Sequence, residues 1–185
     1  GYTVKGFPPS INYTLSPSTL TNQDVRVIVS ATASSGEIEE TKWAMGKAGI
    51  DYFATMGTAF NDYFYVDYND VYTIYAKDTS GGESVKEFTI TNIDKVPPEA
   101  PTASADITVP TNKNVTVTAT FSSDTKTKQY RKNNGTWATY TGGIIFTSNG
   151  KVEFRGYDDA GNVSSTTTYT VSNIDKVAPV ITISN

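Results

Sequence analysis

The chain has no cysteine and no histidine. That removes thiolate nucleophiles, Ser-His-Asp and Cys-His relays, histidine-ligated zinc and every disulfide. A fold without disulfides suits a reducing cytoplasm and equally an exported bacterial protein, so this absence leaves the compartment open. Basic excess is missing too. The formal net charge is -4 and the pI about 4.8. A nucleic-acid partner needs a basic stripe and an anionic membrane a polybasic patch, so neither is expected. No window approaches the roughly 20 apolar residues of a membrane helix. Residues 1–9 lack the apolar core of a signal peptide. A soluble fragment without membrane insertion is expected, with any targeting signal outside it.

What the chain has in quantity is Thr, Ser, Tyr, Val and Asn, which favour strands over helices, and no segment reads as a helix. The pentapeptide Asn-Ile-Asp-Lys-Val occurs twice, at residues 92–96 and 173–177, with Ile93 and Ile174 81 residues apart. "TNQDVRVIVSATA" from Thr21 returns as "TNKNVTVTATFS" from Thr111, and "NDVYTIYAKDTSGGES" from Asn69 as "NGKVEFRGYDDAGNVS" from Asn149. The first offset is 90 and the second 80, so the first repeat carries extra length between Ala33 and Asn69. "APVITISN" after the second pentapeptide resembles the opening strand of each repeat.

The expected organisation is therefore a leader or linker over residues 1–7, one domain over 8–96 and another over 97–177. Residues 178–185 would start a third repeat or form a C-terminal strand. Prolines after each Lys-Val restrict the junctions to extended backbone.

Val25, Val27, Val29 and Ala31 alternate with polar neighbours, as do Val115, Val117, Ala119 and Phe121. Period two with one apolar face marks half-buried antiparallel strands, and two such faces cover each other in a sandwich. "NNG" at Asn133 to Gly135 reads as a hairpin turn, and "DTSGG" from Asp78 and "DDAGN" from Asp158 as turns between the last two strands. About seven strands per repeat give an all-β chain of two tandem immunoglobulin-like antiparallel β-sandwiches. Trp43 sits where a third strand places a core tryptophan, and Tyr72 where a tyrosine corner falls. The second repeat has Tyr130 and Val152 at these positions, so its corner is lost, and Trp137 is expected to fill core there instead.

The series "TNQDVRVIVSATA … KWA … GTAF … YTIYAKD … VKEFTITNIDKVPP" and its partner ending "YTVSNIDKVAP" resemble the bacterial immunoglobulin-like (Big-type) tandem repeats. Such repeats belong to large surface-anchored or secreted multidomain proteins: adhesins, S-layer-associated proteins and glycan-degrading enzymes. The resemblance covers nearly the whole chain. It implies an extracellular or cell-surface location and neighbouring domains of the same polypeptide as partners.

Oxygen-rich loops are what calcium binds. Asp78, Asp94, Asp158, Asp159 and Asp175 are the candidate ligands of interdomain calcium, a device the resemblance also suggests. Their alternative reading is turn formation and solvated linker charge, since the dense DxDxDG spacing is missing. No other cofactor is expected. Tyr63, Tyr65 and Tyr75 alternate with Phe64, Tyr72 and Ile74, which places the three tyrosines on an outer face. There they would form a ligand-binding surface for cell-wall or host glycans, or serve only as good strand formers.

Glu37, Glu39 and Glu40 read as a solvated strand edge and not as the facing acid pair of a glycosidase. No motif singles out a Lys-Asn crosslink, and sequons at Asn12 and Asn162 are expected by chance. No catalysis is expected. The functional expectation is a spacer or stalk, with a glycan- or host-ligand-binding module in the first domain as the alternative.

Overall fold

Val25 and Val27 turn inward beside Leu15, Phe64 and Val66 on one sheet and meet Tyr72, Ile74 and Phe88 of the facing sheet, which closes the first sandwich. The computed structural model describes residues 6–181. The chain divides into two compact units at the Lys95–Val96 bond, and each is described by itself.

Unit 1 contains β1 (Ser10–Ser16), β2 (Val25–Thr32), β3 (Ile38–Met45), helix α1 (Ile50–Phe53), β4 (Thr58–Ala59), β5 (Tyr63–Val66), β6 (Val71–Asp78) and β7 (Glu83–Thr89). One sheet has the order β1-β2-β5 and the other β4-β3-β6-β7, with every pairing antiparallel. Unit 2 repeats the plan with β8 (Thr102–Ala105), β9 (Val115–Thr120), β10 (Thr127–Lys132), β11 (Ala138–Thr139), β12 (Ile144–Phe146), β13 (Gly150–Tyr157) and β14 (Thr167–Val171). Its sheets are β12-β9-β8 and β11-β10-β13-β14. Each unit is a seven-stranded sandwich of the immunoglobulin-like class.

The unit 1 core gathers Val25, Val27, Phe64, Val66, Tyr72, Ile74, Phe88, Ile90 and Ile93. Trp43 packs against it, its ring stacked on Phe64 at 4.8 Å and 2°. Tyr72 forms the corner expected of it, its hydroxyl donating to Tyr68 O at 2.9 Å. In unit 2 the matching Val152 is buried and has no hydroxyl.

Three expectations are corrected. Trp137 does not enter the unit 2 core. Tyr140 packs there, and its hydroxyl accepts the Ala119 N–H at 2.9 Å. The hairpin turn after β10 is centred on Asn133 and Asn134, whose φ values are 50° and 60°, so Asn-Asn and not Asn-Gly supplies the left-handed pair. The acidic run lies on an open edge, as expected: β4 pairs with β3 only at Lys42 and Trp43, so the end at residues 38–40 has β6 on one side and no strand on the other among the described residues, with Glu40 paired to Lys42 at 2.6 Å and Glu39 to Lys77 at 3.3 Å. One short helix exists where none was expected.

That helix belongs to the extra length of unit 1. Residues 46–57 leave β3, turn through α1 and return to β4, whereas five residues, 133–137, join β10 to β11. Of the stretch expected to open a third repeat, residues 178–181 carry no strand, and residues 182–185 lie outside the described residues. No helix among the described residues is long and apolar enough to cross a membrane.

Candidate functional site

Both units repeat one construction at the point where the chain leaves them. The last strand ends at Thr89 in unit 1 and at Val171 in unit 2, so the pentapeptide lies beyond it. Asn92 Nδ2 donates to Pro17 O at 3.1 Å and Thr19 O at 2.9 Å. Asn173 Nδ2 does the same to Ile107 O and Val109 O, at 3.1 and 2.8 Å. Thr21 N–H donates to Asn92 O and Asp94 N–H to Thr21 O, at 2.9 and 2.8 Å, one rung of parallel pairing. Thr111, Asn173 and Asp175 repeat this rung at the same two distances.

The isoleucine between is held from the other side. Asn69 accepts the Ile93 N–H at 2.9 Å and donates to Ile93 O at 2.7 Å. Asn149 makes the same pair with Ile174, at 2.9 and 3.1 Å. Ile93 and Ile174 are each 8% exposed and join their cores. The fourth residue of the pentapeptide ties down as well: Lys95 Nζ reaches Asp24 Oδ1 at 2.6 Å and Lys176 Nζ reaches Asn114 Oδ1 at 2.8 Å. An amide side chain offers one donor and one acceptor to the N–H and C=O of a single residue, which is why asparagine stands at 69 and 149. The pentapeptide is a clasp on its own unit, and the junction begins only after Lys95.

The expected calcium ligands are distributed by the turns. Asp78 Oδ1 accepts from Ser80 N–H, Ser80 Oγ and Gly82 N–H at 3.0, 2.7 and 2.8 Å. The side chain is fully buried and its Oδ2 lacks a hydrogen-bond partner among the described residues. Asp158 accepts from Asn162 through both oxygens, at 2.8 Å each. Asp159 is exposed and faces Lys126 at 3.5 Å. Asp175 Oδ1 accepts the Val177 N–H at 2.9 Å. Asp78 ends β6 while Asp94 lies in the clasp beside Asn69, which precedes β6, so a whole strand separates them. Among the described residues no three acids gather as a metal-holding group. Within either unit these residues do not assemble the six to eight oxygens calcium takes.

Hydrogen bonds from Ser80 hold the Asp78 carboxyl below its usual range against the opposing effect of burial. For Asp158, burial acts upward, but the Asn162 hydrogen bonds prevail and its carboxyl is also lowered. A carboxyl whose folded pKa lies below its unfolded value stabilises fully above the unfolded value and loses that contribution as pH falls through the folded one. Both units should therefore weaken below about pH 4. Asp78→Asn should flatten the acid dependence of the unit 1 transition in urea titrations between pH 5 and 2. An unchanged slope would show that Asp78 is not the group responsible.

The outer tyrosines part company. Tyr63 and Tyr65 are 48% and 53% exposed, on β5, and their rings meet edge-on at 5.8 Å and 83°. The guanidinium of Arg26 covers Tyr63 at 4.9 Å. Tyr75, expected beside them, is 2% exposed. Phe53 of α1 stacks on it at 5.0 Å and 13°, and its hydroxyl donates to Glu83 Oε1 at 2.7 Å. Burial first, and then the Glu83 bond, push that hydroxyl far above the usual tyrosine range.

The insert that covers Tyr75 is fastened by Thr73, whose hydroxyl accepts the Ala48 N–H and donates to Gly46 O, and by Lys42 Nζ on Phe53 O at 3.0 Å. Gly57, at φ +90°, must lack a side chain because a Cβ would lie 2.7 Å from the Phe53 ring. Tyr75 is therefore no ligand contact. Alternation placed it correctly on the outer side of its sheet, but the insert covers that side.

An open cleft of about 540 Å³ runs between β2 and β3, lined by Val29, Ile38, Glu40, Phe60 and Asp62 among others. Of its lining acids, Glu40 is paired with Lys42 and Glu39 with Lys77.

No family model and no curated protein matches the chain. Solved structures do resemble it. The fibronectin(III)-like modules of Clostridium thermocellum CbhA align with a TM-score of 0.39 at 11% identity, over 94% of this chain and 100% of that one. A structure from a 1.5-MDa bacterial ice-binding adhesin, described in connection with host cell surface retention, aligns with a TM-score of 0.45 at 15% identity. That match covers 89% of this chain and 65% of the adhesin chain. Neither likeness bears on ligand or role.

Proposed function

We propose that the chain is a non-catalytic spacer of a bacterial extracellular or cell-surface multidomain protein, each unit adding a fixed length between its neighbours in the polypeptide. The observation that carries this reading is the clasp, built twice from matching residues at the same exit. A module that only had to fold would not need its outgoing chain fastened by seven hydrogen bonds beyond the last strand. Tension applied to that outgoing chain must first break the parallel rung and the two asparagine brackets before it can peel the last strand.

The beginning of each unit is fastened as well. Ser34 Oγ and Ser84 Oγ donate to Pro8 O and Pro9 O at 2.9 and 2.7 Å, and Thr167 Oγ1 donates to Pro101 O at 2.5 Å. Residues 97–100 follow the clasp of unit 1 and precede the first fastening of unit 2.

Pulling the two-unit chain from its ends should give two separate unfolding steps, each releasing about 25–30 nm for 80 to 90 residues at ~3.5 Å per residue. Unfolding at forces indistinguishable from baseline, or gradual extension without steps, would defeat the spacer reading. Exposed Tyr63 and Tyr65 favour a second reading, a glycan surface on unit 1. Their edge-on rings and the Arg26 cover leave no shared flat platform for a sugar.

A further inference from the structure

The sheet face that α1 seals in unit 1 has no helix over it in unit 2, where its residues are half-buried among one another and Trp137 packs on the two arginines. Position 75 pairs with Lys42 across β3, and its counterpart Arg155 pairs with Gln129 across β10. Where unit 1 has Ala44, Tyr75 and the covering Phe53, unit 2 has Arg131, Arg155 and Trp137. The Arg155 guanidinium lies 4.0 Å from the Trp137 ring centroid and 5.3 Å from that of Tyr157, and its Nε donates to Gln129 Oε1 at 3.0 Å. Arg131 covers Trp137 at 4.9 Å but is committed to Glu153 by two bonds of 2.8 Å. Arg155 has no carboxylate partner among the described residues.

We propose that this face, the outer side of β10, β13 and β14, binds a carboxylate-bearing polysaccharide, with Arg155 as its anchor. A guanidinium braced by two aromatic rings and one amide is already oriented, so little rotamer freedom is lost when its fork meets a carboxylate. Aromatic contact also leaves the cation less hydrated than a free surface arginine. Lys151 adds a second positive group, 3.8 Å from Glu153, so three cations share the face with one acid. Thr168 and Thr170, exposed opposite Glu153 and Lys151, add hydroxyls along β14.

Charge divides between the units in the same sense. Residues 96–185 hold eight Lys and Arg against seven Asp and Glu, and residues 1–95 hold seven against twelve. Unit 1 therefore repels an acidic chain, whereas unit 2 is nearly neutral and the cations of this face act without that opposition. The face offers cations, hydroxyls and aromatic rings, the groups that meet a hydrated acidic sugar chain, whereas a protein partner typically buries an aromatic or aliphatic anchor.

The test uses the two-unit chain and biolayer interferometry against immobilised polygalacturonate, dextran sulfate, neutral dextran and polyglutamate at low salt. Polygalacturonate should be bound, with affinity falling as salt rises. Arg155→Gln should weaken binding about tenfold or more. Arg155→Lys, which keeps a cation on Trp137 but loses the fork, should weaken it several-fold. Circular dichroism should show both variants folded, and a combined Tyr63→Ala and Tyr65→Ala change should leave binding unaltered. Absence of polygalacturonate binding overturns the proposal, as does wild-type affinity in a folded Arg155→Gln. Stronger binding to dextran sulfate would make the ligand a sulfate polymer, and equal binding to polyglutamate would make it an acidic protein. Either result also overturns the proposal.

Discussion

Truncating Phe53 to alanine should lower the stability of unit 1 by about 3–5 kcal/mol and leave unit 2 unchanged. Phe53 is fully buried, although it belongs to a four-residue helix that no propensity argument would predict. Its ring fills the space between α1 and Tyr75, against Ala44, with Ala48 and Ile50 around it. Removing it leaves a cavity over Tyr75, because the insert is held at both ends by Thr73 and Lys42 and cannot collapse freely. In a unit of this size each kcal/mol is worth about 4–8 °C, so the melting transition of unit 1 should fall by about 12 °C or more. Scanning calorimetry should show one of two transitions moving. A shift of both, or of neither, would contradict an insert that packs on unit 1 alone. The same variant should expose Tyr75 and lower its ionisation toward the ordinary tyrosine range, readable by absorbance titration.

Replacing Asn149 by alanine should cost unit 2 about 2–4 kcal/mol. Two hydrogen bonds to the Ile174 peptide disappear, and each is worth about 1 kcal/mol net. The larger part comes from the Ile174 N–H and C=O, which are left without partners in a half-buried position. Asn69→Ala should have a matching effect on unit 1. Aspartate at either position keeps the acceptor and loses the donor, and should fall between alanine and wild type. Urea denaturation with the two transitions resolved measures all four variants. In pulling experiments the alanine variants should also lower the force of the affected unit. A loss below about 0.5 kcal/mol, within the range of ordinary surface changes, would show that the clasp does not carry the exit.

Much of the architecture was legible in the chain. The paired offsets located two repeats, and period-two alternation assigned Val25, Val27, Phe64 and Ile74 inward, as they lie in the core. Tyr72 could be placed because its corner is a local bond, made to a carbonyl four residues back. The turn aspartates were readable for the same reason: Asp78 and Asp158 serve their own hairpins, within four residues. Trp137 was misplaced because a tryptophan in a sandwich is usually core. Two arginines on neighbouring strands, 6 and 18 residues away, hold it outside instead. Asn69 and Asn149 gave no signal for the clasp, since asparagine before a strand is ordinary turn chemistry and their partners lie 24 and 25 residues further on.

The sequence by itself determined the all-β class, the inward and outward alternation along strands such as β2 and β5, and the absence of thiol and imidazole chemistry. These follow from composition and from periodicities of a few residues, which the backbone reads locally. Only the tertiary structure decided what covers the outer faces. It put the insert of unit 1 over Tyr75 and left Arg155 half-buried, against Trp137 and Tyr157, at the matching place in unit 2. It also turned a repeated pentapeptide into a clasp. Alternation assigns a side chain to one of two faces of a sheet, but what covers that face comes from segments distant in sequence, through contacts with no local pattern.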